Sequence, residues 1–439
     1  MTCLCHSLFY TNHMSIDRTL APDFKVISSI SLPETQSTML DNGIPLHVIN
    51  IGEQPVIRLE VIFDAGNWYE SEPGASFFAA KMMTEGTSGM IASEISEAFD
   101  KLGAFIDMTH SSDRCGIVVY CLSRFLPEVL SLVSELIQNS TFPEKELDEL
   151  RNITLQNLRV NQQKTAYLAS TALRTELFGA THPYGQSQDE NRMQALPLAA
   201  IKSHFTKFIK TGKSVVVLAG QVGPDDVSLV NQFLGQSSVL PPSAVVVHPV
   251  QTAYAGRQVL IEKEESVQSS IRMGKRLFNR HHADYFKMLV ANEILGGYFG
   301  SRLMKNIREE KGLTYGISSS VVTLAHEGYF LIGTDVKKEF TQQTIDEIKK
   351  EIYRLQTEPV ADDELQTVKN FMAGEFAGSL NTAFEVADRR KILLLDGLPA
   401  DFFGEYVKQI HATTAEDIQE MACRHMKPED MVEVVVGGK

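Results

Sequence analysis

The second half of this 439-residue chain repeats the first. Val216-Val217-Leu218-Ala219-Gly220 stands 218 residues before Val434-Val435-Val436-Gly437-Gly438. Pro143, Glu146-Leu147 and Arg151-Asn152 are echoed by Pro359, Glu364-Leu365 and Lys369-Asn370. Each half also runs helix, glycine, helix, glycine, strand, with Gly86 and Gly103 in the first copy and Gly296 and Gly312 in the second. A chain of this length exceeds one ordinary core, and the repeat divides it into two domains of similar fold. The stretch 235–250, GQSSVLPPSAVVVHPV, collects Gly, Ser and three prolines as linkers do. The expected organisation is an N-terminal extension over 1–19, a first domain over 20–234, a linker over 235–250 and a second domain over 251–439.

Within each copy, strand-like runs are interrupted by long helices without regular alternation. That pattern indicates an α+β class, with helices packed on mainly antiparallel sheets. Asp41-Asn42-Gly43 marks a tight hairpin turn, and PVIRLEVIFDA (55–65) alternates as a half-buried strand should. Helical spacing predicts helices over 75–84, 93–102 and 126–137, and Pro143 opens one from Glu144 to about Leu168 with no Gly or Pro to interrupt it. Strands are expected around 104–109 and 116–122.

A formal net charge of −14 argues against non-specific nucleic-acid binding, which needs a basic surface to displace counterions. Five cysteines do not form a disulfide framework, and Cys115 and Cys121, six apart in a strand, should pack as small hydrophobes. Cys3, Cys5 and His6 sit in a terminal segment, where metal binding is not expected. The first residues lack the charged start and apolar core of a secretion signal, and Met14 is an alternative start. No run of about 18 apolar residues offers a membrane span, so a cytoplasmic location is the expectation.

The most informative stretch is Glu293 to Ser320, EILGGYFGSRLMKNIREEKGLTYGISSS. A helix should end at Gly296-Gly297, where missing side chains permit positive φ and close backbone approach. A second helix, Arg302 to Glu310, buries Leu303 and Ile307 and stops at Lys311-Gly312. A strand, Leu313 to Val322, follows. Arg308 and Tyr315 then flank one turn, and their spacing can aim both at one cleft. Taken alone, they read as a surface ion pair and a half-buried aromatic.

This stretch resembles the second-domain signature of the insulinase/pitrilysin family of zinc peptidases, in which Gly-Gly-x-Phe-x-Ser-Arg-Leu leads into Ile-Arg-Glu-x-x-Gly-Leu-x-Tyr. The resemblance implies two domains facing each other across a cavity as half of a clamshell. It further implies that Arg308 and Tyr315 reach toward substrate held by a catalytic partner, and that Gly296, Gly297, Phe299, Gly300 and Ser301 lie near an extended peptide. Exposed backbone there suits recognition by main-chain hydrogen bonds.

Catalytic members of that family carry His-x-x-Glu-His on a first-domain helix, two imidazoles for zinc and a Glu as general base, with a Glu from a later helix as third ligand. The corresponding run here is GASFFAAKMMTEGT, residues 74–87. Phe77 and Lys81 stand where the two His belong, Ala80 where the Glu belongs, and Asn157 where the later Glu belongs. A phenyl ring cannot ligate and an ammonium repels a dication. No His-x-x-Glu-His or His-Glu-x-x-His occurs elsewhere, and adjacent His281-His282 make a poor chelate. His182-Pro183-Tyr184-Gly185 matches a loop common in the family, as a structural turn.

The resemblance therefore implies a chain without metal or cofactor of its own. It would be the non-catalytic, substrate-binding subunit of a heteromeric zinc metallopeptidase, with zinc and an intact His-x-x-Glu-His in the partner and peptides as substrates. No nucleic-acid or membrane partner is expected, and a homodimer is the alternative assembly in isolation. Two rival readings remain: a structural or peptide-binding protein of the same fold with no peptidase role, and a peptidase with an unrecognised site.

Overall fold

A computed structural model describes Thr19 and residues 26–236, 247–249 and 255–438. Cys3, Cys5, His6 and Met14, and most of the expected linker, lie outside the described residues. Eleven strands form two sheets among the described residues. The first contains β1 (Gln36–Met39), β2 (Pro45–Asn50), β3 (Val56–Phe63), β4 (Phe105–His110), β5 (Cys115–Leu122) and β6 (Ser214–Gly220), in the order β1-β2-β6-β3-β5-β4. The second contains β7 (Gln258–Glu262), β8 (Gln268–Leu277), β9 (Thr314–Thr323), β10 (Gly328–Lys337) and β11 (Val432–Gly437), in the order β7-β11-β8-β10-β9.

The repeat shows directly in the pairing. The valine-rich strands β6 and β11 each insert parallel to one neighbour, β2 or β7, and antiparallel to the other, β3 or β8. All remaining pairs are antiparallel. β1 and β2 form the expected hairpin, with Gly43 at φ 83 in a position an L side chain would strain.

One face of each sheet is covered by helices of its own half. Helix Leu126–Asn139 buries Leu126, Val129, Leu130, Val133 and Ile137, the 3–4 spacing of an amphipathic stripe, and Thr341–Thr357 does the same with Ile345, Ile348, Ile352 and Leu355. Cys115 and Cys121 are buried in the first core, as their spacing predicts.

The other face is covered by an exchange. The uninterrupted helix expected from Glu144 to about Leu168 is in fact two, Glu144–Gln162 and Thr165–Phe178. The second leaves its own half and lies on β8 and β11, where Ala169, Leu173, Leu177 and Phe178 pack against Val432, Val434 and Val436. No Gly or Pro marks the break, because it arises from burial on a distant sheet rather than from local backbone preference. In return, helix Ala383–Asp396 of the second half lies on the first sheet, where Val386 and Ala387 meet Ile49, Ile62, Val217 and Ala219. β6 and β11 are buried on both faces, which is why they read as continuous apolar runs rather than as alternation.

Charges lock the exchange. Arg58 and Glu60 on β3, each about 5% exposed, pair with one another under the second-half helix. Arg58 reaches Asp388 at 2.7 Å, and Lys391 reaches Glu60 at 2.9 Å. Arg58→Ala leaves Glu60 buried with Lys391 as its remaining cation. It should cost about 3 kcal/mol in urea unfolding, as broken buried pairs do, whereas Asp388→Asn, at the half-exposed end of the cluster, should cost about 1 kcal/mol or less.

Candidate functional site

The Glu293–Ser320 stretch folds as a corner. Helix Tyr285–Asn292 widens into a π-helical turn over Glu293–Gly297, and the next helix is π-helical over Met304–Glu310. Such widened turns are uncommon and concentrate at functional sites. Leu303 and Ile307 are fully buried beneath it. Close approach is what the glycines provide. A Cβ on Gly296 would lie 2.7 Å from the Ser319 amide nitrogen of β9, and one on Gly297 would lie 2.4 Å from the Glu293 carboxylate. The expected positive φ is not found at Gly296 or Gly297, whereas Gly312, at φ 65, does end its helix that way.

The corner leaves Arg308 and Tyr315 as neither an ion pair nor a half-buried aromatic. Arg308 has no carboxylate partner among the described residues, and its guanidinium lies over the Phe299 ring, 4.6 Å from the centroid. Phe299 is itself 63% exposed and Tyr315 is 94% exposed. Tyr315 borders a shallow depression of about 380 Å³ on the β8–β10 face, beside Arg272, Gly316, Gly333 and Asp335. Arg308 is not part of that lining, so the two side chains flank the turn without sharing this depression. Ser301 is buried, with no hydrogen-bond partner for its hydroxyl.

Spacing alone did not point to Glu293. Burial, and then the charge of Glu375, push its carboxyl up to about 7, so a proton-exchanging group sits directly against Gly297. Its signal in the sequence was an acid opening the otherwise apolar run that ends in the glycine pair.

The first-domain helix Ala75–Lys81 has the family frame without the metal donors. Phe77 packs edge-on to His110 with centroids 5.6 Å apart, and Ala80 is fully buried. The Lys81 ammonium donates to the Met108 carbonyl and lies 3.8 Å from Asp107. Asn157 is exposed on Glu144–Gln162. A phenyl, a methyl and an ammonium already held by β4 do not fit zinc, and the described residues contain no group of three or more His, Cys, Asp or Glu able to hold a metal.

Residues 48–183 match the family described as "Insulinase (Peptidase family M16)", and residues 195–372 match "Peptidase M16 inactive domain". The chain belongs to the insulinase family. Its sequence contains no His-x-x-Glu-His.

Among insulinase-family relatives, an "Uncharacterized zinc protease YmxG" of Bacillus subtilis is 22% identical over 89% of this chain and 95% of its own length. A "Non-peptidase homolog YmxG" of Helicobacter pylori is 23% identical over 84% and 86%. The rat "Mitochondrial-processing peptidase subunit beta" is 21% identical over 90% and 83%. A solved "peptidase M16 inactive domain" from Pseudomonas fluorescens superposes with a TM-score of 0.84, at 25% identity over 93% of this chain and 99% of that one. No described helix is long and apolar enough to cross a membrane.

His204 and His182 are buried, and desolvation pushes both down to about 4, with smaller contributions from neighbouring groups. For His204 burial outweighs the Nε2–H bond donated to the Ala65 carbonyl at 2.9 Å, which by itself favours the charged ring. The unfolded chain therefore binds more protons than the folded one between about pH 6.5 and 4, and stability must fall as pH drops through that window. His204→Gln should remove on the order of 1–2 kcal/mol of the loss between pH 7 and pH 5, read as a shallower pH slope in urea unfolding.

Proposed function

We propose that this chain is the non-catalytic, substrate-binding subunit of a heteromeric zinc metallopeptidase. The observation that carries the reading is a pair of donors without hydrogen-bond or ion-pair partners among the described residues. Arg308 is spread over an exposed phenyl ring and Tyr315 is held 94% in solvent, on a chain whose zinc positions are Phe77, Ala80, Lys81 and Asn157. Leaving a tyrosine so exposed gains nothing for folding, and such aromatics and arginines anchor interfaces.

A guanidinium and a phenol directed at a peptide carbonyl stabilise the negative charge that its oxygen gains when the bond is attacked. In this reading the attack takes place in a partner carrying the intact motif, and the present chain supplies those donors together with the backbone of Gly296, Gly297, Phe299, Gly300 and Ser301. The rat relative is by name a subunit of a processing peptidase, which supports a paired assembly. The Helicobacter relative is by name a non-peptidase homologue, which favours the second reading, a peptide-binding protein with no catalytic partner.

Affinity purification from the native cells separates the two. A near-stoichiometric partner with an intact His-x-x-Glu-His favours the peptidase subunit, and recovery of the chain by itself favours the second reading. In the reconstituted pair, Arg308→Ala or Tyr315→Phe should lower kcat by about 10²-fold while leaving the assembly Kd within about threefold. Unchanged turnover in both variants would remove the role assigned to these residues.

A further inference from the structure

One cavity of the first half is not absorbed by this function. It lies against the degenerate zinc helix, has a volume of about 350 Å³, and is walled on one side by Phe77, Phe78, Tyr167 and Met193. Its cations are Arg174, from the exchanged helix Thr165–Phe178, and Arg192, from helix Glu190–Ala195. Neither guanidinium has a hydrogen-bond or ion-pair partner among the described residues. Arg58, Arg114, Arg151, Arg159, Arg257 and Arg272, by contrast, are all paired with carboxylates.

The lining also contains the acids Glu70 and Asp189, each with one oxygen engaged by nearby donors. One Glu70 oxygen accepts from the amides of Gly74 and Ser76, at 3.1 and 3.2 Å, and from the Ser76 hydroxyl at 2.8 Å. Asp189 caps its helix by accepting from the Arg192 amide at 2.9 Å. Neither carboxylate forms an ion pair with Arg174 or Arg192, so both guanidiniums keep their N–H donors for whatever enters. A planar fork of N–H donors matches a carboxylate, and an aromatic wall of this size matches one apolar side chain.

We propose that this cavity is a binding site for an apolar carboxylate, an amino-acid-sized group with a free acid such as the C-terminal residue of a peptide. The place where catalytic relatives would hold a metal is then put to a different use, retention through the acid group rather than cleavage. The site is complete within this chain and needs no partner subunit. Its success or failure is therefore independent of the role given to Arg308 and Tyr315.

Isothermal titration calorimetry on the full chain tests it with three probes: the tripeptide Ala-Ala-Phe as free acid, the same tripeptide as C-terminal amide, and 3-phenylpropionate. The free acid should bind at least about tenfold more tightly than the amide, and Arg174→Gln/Arg192→Gln should weaken it by at least about tenfold. Phenylpropionate binding as well as the tripeptide assigns the site to free small acids, and clearly weaker binding assigns it to peptide C-termini. Equal binding of acid and amide overturns the proposal, as does absence of binding by both acids. So does a double variant that melts like wild type yet binds the acid unchanged. Should that variant fail to fold, the acid–amide comparison on the wild-type chain decides alone.

Discussion

A β-sheet has two faces, and neither half of this chain covers both of its own. The exchange of Thr165–Phe178 for Ala383–Asp396 puts apolar side chains from each half over the exposed face of the other sheet. Without it, the valines of β6 and β11 would stand in water on one side, each costing about 1.5–3 kcal/mol of lost burial. The domain unit defined by the repeat is therefore not the unit of stability, and cutting the chain between its halves would strip both sheets. The cluster of Arg58, Glu60, Asp388 and Lys391 adds register to this seam, because charges buried under the second-half helix are tolerable only in the aligned position.

The same seam decides what the two candidate sites can be. Covering β8 and β11 with the exchanged helix leaves the β9–β10 side of that face open, and there Tyr315, Gly316 and Gly333 form a shallow depression. In the first half the exchanged helix starts beside the degenerate zinc helix and carries Tyr167 and Arg174 into the neighbouring cavity. Both sites depend on one structural event, so a substitution that loosens the seam should disturb them together although they lie in different halves.

Much of the architecture was legible. The 218-residue repeat, the glycine stops and the valine runs identify two like sheets, and the burial of Leu303 and Ile307 follows from helical spacing alone. The break at Gln163-Lys164 was not legible, because helix propensity is uniform across it and the cause lies on another sheet. Of the two reasons read for the glycine pair, close backbone approach is found and positive φ is not. Gly296 and Gly297 are required by close approach of Ser319 and Glu293, not by left-handed backbone, and a single sequence does not distinguish these demands. Arg174 and Arg192 were invisible for a related reason, since an arginine becomes informative only when the structure shows that no acid answers it.

The repeat also explains why one chain can lose its chemistry and keep its shape. Helix, glycine, helix, glycine, strand ends in an edge strand in both copies, β4 in the first sheet and β9 in the second. Each edge strand carries an exposed aromatic, Phe105 at 63% and Tyr315 at 94%, and each presents one row of backbone groups without a neighbouring strand. Metal ligation asks for particular side chains on the helix behind β4, whereas the fold asks only that this helix bury Ala75, Phe78, Ala79 and Ala80. A phenyl at Phe77, against His110, and a lysine at Lys81, held by the Met108 carbonyl, satisfy the fold without a metal. The constraint on this helix that the structure displays is therefore packing, and what packing maintains in both halves is an edge beside a cavity.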